Sequence, residues 1–174
     1  PWLFCALFLK WRRIPEKRRI RCSSWLGERT KGEILMLDAA QQQKVLACIA
    51  AAERATSGEL RVHLEASCSK EPVARAIEVF HQLGMQQTAQ RNGVLIYLAF
   101  QDQKFAIIGD TGIDAKVPAN FWNSVRDRML IHFKEKQIAE GLCEGITHAG
   151  QKLAEFFPPL ANDQNELSND ISFG

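Results

Sequence analysis

RNGVLIYLAFQDQKFAIIGDTGID, residues 91–114, carries the clearest structural signal in this chain of 174 residues. Its segment Val94–Phe100 is apolar on both faces, which is typical of a buried central strand. A short polar connection, Gln101-Asp102-Gln103, leads into a returning strand at Lys104–Ile108, so the pattern predicts a β-hairpin. The returning strand runs into a glycine loop that contains Asp110 and Asp114, so the hairpin delivers two carboxylates to one edge of a sheet.

The flanking sequence predicts the rest of an α/β fold. Leu60–Ala66 alternates apolar and polar residues, which predicts a half-exposed strand near a sheet edge. Helical spacing of apolar residues predicts four helices, beginning near Asp38, Ser69, Val117 and Ile138. The order α-β-α-β-β-α-α implies a right-handed parallel crossover followed by an antiparallel strand. The predicted fold is a Rossmann-like, three-layer α/β/α sandwich with a small mixed sheet and one β-hairpin.

The two ends of the chain differ from this central domain. Residues 1–35 hold nine Lys or Arg and three Glu, a net +6, whereas the rest has 13 basic and 17 acidic residues, a net −4. Lys31-Gly32-Glu33 can be encoded by a purine-rich ribosome-binding sequence ahead of Met36, the first Met. We therefore expect 1–35 to be a non-native or disordered basic extension, 36–157 to be the domain, and the Asn/Asp/Ser-rich 158–174 to be a disordered tail.

Composition narrows the classes of partner and the compartment. A net charge of −4 over 36–174 argues against general nucleic-acid binding. No apolar run reaches the roughly 18 residues that a membrane-spanning helix needs. The five Cys form no CxxC, and Cys48 and Cys143 fall in helical apolar patterns, so we interpret them as small core residues. This usage predicts a reducing, cytoplasmic location without a disulfide framework.

The predicted topology gathers polar residues from three segments. Parallel strands start at the same edge of a sheet, so Glu59 before the first strand and Arg91 before the second should lie close together. The antiparallel third strand ends at that edge, where it brings a loop that contains Gly109, Asp110, Thr111, Gly112 and Asp114. Oxygen ligands of this kind suit hard divalent cations, and calcium in particular accepts flexible loops. Spacing alone leaves a solvated turn at the start of a helix as the alternative.

Three segments together resemble the TPM domain family: TSGELRVHLE at 56–65, RNGVLIYLAFQDQKFAIIGDTGID at 91–114 and IAEGLCEGITHAGQKLAEFF at 138–157. The resemblance, to a soluble bacterial-type member, covers about residues 38–157 and implies a Rossmann-like α/β/α sandwich. It also implies calcium binding or weak acid phosphatase activity, roles with which members of the family have been linked. Carried over to this chain, it implies a metal site at Glu59, Asp110 and Asp114, with Gly109, Thr111 and Gly112 supporting the loop, and Arg91 as an anion contact where phosphate binds.

These observations rank three functions. The first is a soluble domain that binds a divalent cation, calcium ahead of magnesium, without strong catalysis. The second is a weak metal-assisted acid phosphatase, which would need a general base that the sequence does not identify. The third is a non-catalytic module for an unknown protein partner, recognised by the polar face Arg61, His63 and Glu65 and by the tail. In the pattern of its strand, His63 is predicted to be a surface group.

Overall fold

The computed structural model describes residues 9–10, 37–159, 167–168 and 170–174. Its strands are β1 (Leu9–Lys10), β2 (Leu60–Glu65), β3 (Val94–Ala99), β4 (Lys104–Gly109) and β5 (Ser172–Phe173). Its α-helices are α1 (Ala39–Glu53), α2 (Pro72–Gln82), α3 (Thr111–Asp114), α4 (Phe121–Lys134) and α5 (Ile138–Phe156). A short 3-10 helix lies at Met85–Gln87.

The strands form one mixed sheet in the order β1-β4-β3-β2-β5. Strands β2 and β3 are parallel, with Leu60 opposite Val94 at their starts. Strands β3 and β4 form the predicted antiparallel hairpin, with Val94 opposite Gly109 at its open end. The strand directions that the sequence predicted are therefore confirmed, and β2, β3 and the end of β4 share an edge.

Two apolar clusters, one on each face of the sheet, give the fold its three layers. Alternate residues of β3, such as Val94 and Ile96, pack with the helices α1, α4 and α5. The intervening residues, such as Leu95 and Tyr97, face α2. Trp122 of α4 is 1% exposed and belongs to the first cluster. The three-layer α/β/α sandwich is thus confirmed.

Local sequence explains where the first two helices begin. The Asp38 side chain accepts a hydrogen bond from the backbone N–H of Gln41, and the Gln41 side chain accepts one from the backbone N–H of Asp38, which makes a capping box. Pro72 occupies the first turn of α2, where its missing N–H has no intrahelical partner to lose. The side chain of Glu71 caps the same turn by accepting from two backbone N–H groups.

The prediction of a half-exposed β2 is wrong, because the strand is covered on both faces and along its outer edge. His63 is only 5% exposed and Glu65 only 6%, so neither is a surface group. The cover comes partly from the tail, whose strand β5 pairs in parallel with β2 through His63 and Ser172. Residues 171–174 of the segment predicted to be a disordered tail thus pack against the domain, and Ile171 enters the larger apolar cluster.

Cys48 and Cys143 pack against the larger apolar cluster, in line with their interpretation as small core residues, but they are not unpaired. They form a disulfide that joins α1 to α5 across a sequence separation of 95 residues. Helical periodicity placed both residues on the inward-facing sides of their helices, but it could not show that these sides of α1 and α5 pack against each other.

Among the described residues, none of the helices combines the length and apolar character that a membrane crossing requires. The predicted basic extension 1–35 lies outside the described residues apart from Leu9–Lys10, which pair with β4. Its non-native origin stays a prediction.

Candidate functional site

Backbone hydrogen bonds tie three predicted segments together at the edge where β2 and β3 start. The N–H of Val94 donates to the carbonyl of Glu59 at 2.8 Å, and the N–H of Asp110 donates to the carbonyl of Gly93 at 2.9 Å. The side-chain amide of Asn92 donates to the carbonyl of Ser57 at 3.0 Å. The edge that the sequence predicted is therefore assembled, and we call it the starting edge.

An ion pair between Arg91 and Asp110 dominates this edge. Arg91 Nε lies 2.7 Å from Asp110 Oδ2 and its Nη2 lies 2.8 Å from Oδ1, a two-pronged contact. The Asp110 side chain is fully buried, whereas that of Arg91 is 38% exposed. The hydrogen bonds that Arg91 donates to Asp110 raise the pKa of Arg91 above its ordinary value. Arg91, predicted as an anion contact, thus meets an anion supplied by the protein itself.

Asp110 also begins the helix that follows. Its Oδ1 accepts from the N–H of Thr111 at 2.7 Å and so caps the short helix α3. Gly112 lets this turn approach the preceding loop, because a Cβ at that position would lie 2.2 Å from the carbonyl oxygen of Gln90. Gly109 has a similar role, since a Cβ there would lie 2.4 Å from the Trp122 ring.

Asp114 points to a different partner. Its Oδ1 accepts a hydrogen bond from Trp122 Nε1 at 3.0 Å, which secures α3 against α4. Glu59 is 5% exposed. Within the residues that the structure describes, no three or more His, Cys, Asp or Glu side chains are grouped as a metal site requires. The set Glu59, Asp110 and Asp114 accordingly stays a prediction.

Asn92 is the residue at this edge to which sequence reasoning gave no role as a ligand. Its side chain is 1% exposed, and its Oδ1 receives no hydrogen bond from any described group. The orientation of the amide is set by its NH₂ group, which donates to the Ser57 carbonyl. A buried amide oxygen without a donor is an uncommon feature that a bound cation would satisfy.

A second polar cluster lies at the opposite end of β2, where the sequence predicted only an exposed face for a protein partner. Glu65 Oε1 accepts from Arg75 Nε at 2.9 Å and Oε2 accepts from the Tyr97 hydroxyl at 2.7 Å. His63 Nε2 lies 3.3 Å from Glu65 Oε1, and His63 Nδ1 lies 2.8 Å from Ser172 Oγ. We call these four residues, His63, Glu65, Arg75 and Tyr97, the far cluster.

For both Glu65 and His63, burial and hydrogen bonding have opposite effects on the pKa. Burial alone would raise the pKa of Glu65, but hydrogen bonds from Arg75, Tyr97 and His63 outweigh it and lower this pKa to about 2. Burial lowers the pKa of His63, and the nearby Glu65 only partly offsets that effect. Glu65 is therefore ionised and His63 neutral at pH 7. The cluster borders a cavity of about 340 Å³ that Cys68, Lys70 and Gly174 also line.

Comparisons with known proteins agree with the fold. A family model described as TPM domain matches residues 34–152. The solved NMR structure of the BA42 protein from the psychrophilic bacterium Bizionia argentinensis is 43% identical and superposes with a TM-score of 0.75. That match covers 79% of this chain and 95% of BA42. None of the curated proteins matches.

Proposed function

Because the chain belongs to the TPM domain family, we propose that it is a domain that binds a divalent cation, calcium, at the starting edge of β2 and β3. Family membership gives the fold, and function has to come from a site. The observation that carries the proposal is the buried Oδ1 of Asn92, which no described group satisfies. It lies in the segment that also contributes Arg91 and contacts the Asp110 loop.

The chemistry of the edge suits calcium better than magnesium. Calcium accepts six to eight oxygen ligands and mixes carboxylates with amide and backbone carbonyls, whereas magnesium requires a near-octahedral shell. The proposed ligands are the Asn92 amide and the carboxylates of Glu59, Asp110 and Asp114, which come from three different segments. The described residues hold no preformed group of three such side chains, so the ligands would have to come together as the cation binds. Ligands that come from separate loops favour the ion with the more tolerant geometry.

Arg91 sets the expected strength of binding. A cation that takes the Asp110 carboxylate as a ligand must replace the guanidinium, and the half-exposed Arg91 can swing into solvent while the buried Asp110 stays in place. This exchange offsets much of the attraction. We therefore expect weak affinity, in about the 0.1–1 mM range of calcium modules with low ligand charge.

The same ion pair favours cation binding over phosphatase activity. A phosphatase at this edge needs a cation that clamps phosphate, and Arg91 already serves Asp110. Cation binding is therefore the better supported of the two.

A cytoplasmic location was inferred from cysteines taken as unpaired, and the pairing of Cys48 with Cys143 weakens that inference. The compartment stays a proposal.

Calcium titration of the full chain, followed by amide NMR shifts, tests the proposal. We expect saturable shifts at residues 90–94 and 109–114. Arg91→Gln should tighten binding several-fold because it removes the competing charge, and Asn92→Ala should weaken it. Arg128→Gln is the matched control. Arg128 is an exposed arginine of α4 that pairs with Glu144 of α5, away from the starting edge. The proposal fails if millimolar calcium moves neither segment, or if Arg91→Gln and Arg128→Gln bind alike.

A further inference from the structure

The disulfide between Cys48 and Cys143 lies outside the starting edge and outside the far cluster. It bridges the middle of α1 and the first part of α5, with the two Cα atoms 5.7 Å apart. Both cysteines are half-buried at the margin of the larger apolar cluster. A third cysteine, Cys68, is a useful contrast because it is free and only 3% exposed.

The Cys48 side of the bond opens on a groove. Cys48 lines a cavity of about 460 Å³ between α1 and α5, together with small residues such as Ala51, Thr147 and Gly150. Exchange of a disulfide requires a thiolate to approach one of its sulfur atoms, so access decides whether the bond is inert or reactive. The groove gives a small thiol this access. Cys68 also borders a cavity, but it is only 3% exposed, so its sulfur is far less accessible.

The contact between α1 and α5 does not depend on the bond. Val45 and Ile49 of α1 and Leu142 and Ile146 of α5 are fully buried in one cluster. Lys44 and Glu140 add an ion pair at 2.8 Å on the solvent side of the same contact. Burial of these side chains keeps the helices together when the bond is open. We therefore expect the domain to stay folded when the cysteines are reduced.

We propose that Cys48 and Cys143 are a reversible redox site, a dithiol–disulfide couple that exchanges with a dithiol reductant and locks α1 to α5 when oxidised. In the reducing direction, a thiolate of the reductant attacks Cys48 Sγ from the groove, the bond between the cysteines breaks, and Cys143 leaves as a thiolate that takes up a proton. The second thiol of the reductant then displaces Cys48. Two electrons pass to the protein, which gains two thiols while the reductant becomes a disulfide.

The test equilibrates the native full chain in buffers of graded reduced and oxidised dithiothreitol, followed by alkylation and peptide mass spectrometry. We expect Cys48 and Cys143 to change together in one two-electron transition, while Cys68 stays unlabelled until the chain is unfolded. Peptide analysis separates them from Cys5 and Cys22. Oxidation should raise the melting temperature by about 10 °C, as the closure of a long loop implies for a domain of this size.

Cys48→Ser is the control, and Cys143→Ser is a second variant from the other helix. Each should melt like the reduced protein and should not respond to the redox buffer. The proposal is overturned if the oxidised buffer leaves both cysteines open to alkylation, because no bond then forms. It is also overturned if the native bond resists excess reductant until denaturant is added, because the bond is then a permanent cross-link.

Discussion

The two ends of β2 each hold a buried carboxylate paired with an arginine, and they differ in how closed the pair is. At the starting edge, Asp110 meets a half-exposed Arg91 and one backbone N–H. At the far cluster, Glu65 accepts hydrogen bonds from Arg75, Tyr97 and His63, and the side chain of Arg75 is only 24% exposed. The first arrangement leaves its arginine partly exposed, and we propose that another cation can replace it, whereas the second is a closed network that stabilises the fold.

The difference follows from where the partners come from. Arg91 and Asp110 lie on two loops that the hairpin brings together, so the pair is set by the strand register. The partners of Glu65 come from β2 itself, from α2 and from β3, and the tail adds Ser172 next to His63. The sheet, the helix α2 that covers it and the tail thus all contribute to the far cluster. We expect its disruption to cost more than disruption of the starting edge.

The largest effect should come from Glu65→Gln. This change removes the buried counter-ion of the partly buried Arg75 guanidinium and leaves it only the more exposed Glu78, so we expect a loss of about 3 kcal/mol in the free energy of unfolding. Urea denaturation at pH 7 measures it. Glu78→Gln is the matched control, because Glu78 also contacts Arg75 but belongs to an exposed ion pair. If both variants lose the same stability, the far cluster is not the closed network described above.

The same variant has a distinct acid profile. Glu65 has its pKa lowered from 4.5 to about 2 in the folded state. The stability that its ionised form contributes is present above pH 4.5 and is lost as the pH falls towards 2. The wild-type protein should therefore lose stability over this range, and Glu65→Gln should lose less. Parallel curves for the two proteins would contradict the low pKa.

Gly112→Ala should have the next largest effect and should act at the starting edge. Its Cβ would lie 2.2 Å from the Gln90 carbonyl and 2.6 Å from the Arg91 carbonyl, both of them backbone atoms that cannot rotate away. We expect a loss of about 2 kcal/mol, as overpacking of a tight site usually costs. Thr111→Ala in the same turn is the control, since Thr111 Oγ1 makes only a 3.4 Å contact to Asp110. Equal denaturation midpoints for the two variants would show that the loop moves enough to accommodate the added methyl group without loss of stability.

Sequence patterns predicted the starting edge because its causes are local. The apolar run of β3, the short connection and the returning strand fix the hairpin, and strand direction then brings Arg91 and the Asp110 loop together. The same patterns could not show that Arg91 neutralises Asp110. That contact depends on how far the Arg91 side chain extends. From the sequence alone, Arg91 could equally bind an anion while Asp110 binds a cation.

The far cluster and the disulfide were missed for a different reason. In sequence, Glu65 and His63 alternate with apolar residues, which predicts exposure when nothing else covers the strand. Their cover comes from α2 and from a tail whose polar composition is typical of disorder. Cys48 and Cys143 are likewise partners across 95 residues of separation. Burial that depends on distant segments leaves no periodic signal in the residues that become buried.

The smallest effect should come from Ser172→Ala, which tests how firmly the tail closes the far cluster. Ser172 Oγ lies 2.8 Å from His63 Nδ1 and 3.3 Å from the Val62 carbonyl oxygen. Because His63 donates to Glu65 through Nε2, its Nδ1 is the acceptor for the Ser172 hydroxyl. Loss of this hydroxyl should cost about 1 kcal/mol or less, the usual net worth of such hydrogen bonds. Ser168→Ala is the control within the same tail, because Ser168 bonds only to nearby Asp170.

The sharper readout for Ser172→Ala is the titration of His63 by NMR. Burial lowers the pKa of this histidine below 6.5, so the unfolded chain takes up a proton first and stability falls as the pH drops below that value. A tail that detaches more often exposes the ring to water, and the pKa of His63 should then move up towards 6.5. With that shift the acid-sensitive step near pH 6 becomes smaller, even though the protein is less stable overall. A titration curve for His63 that matches the Ser168→Ala control would show that α2 and β3 bury this histidine without help from the tail.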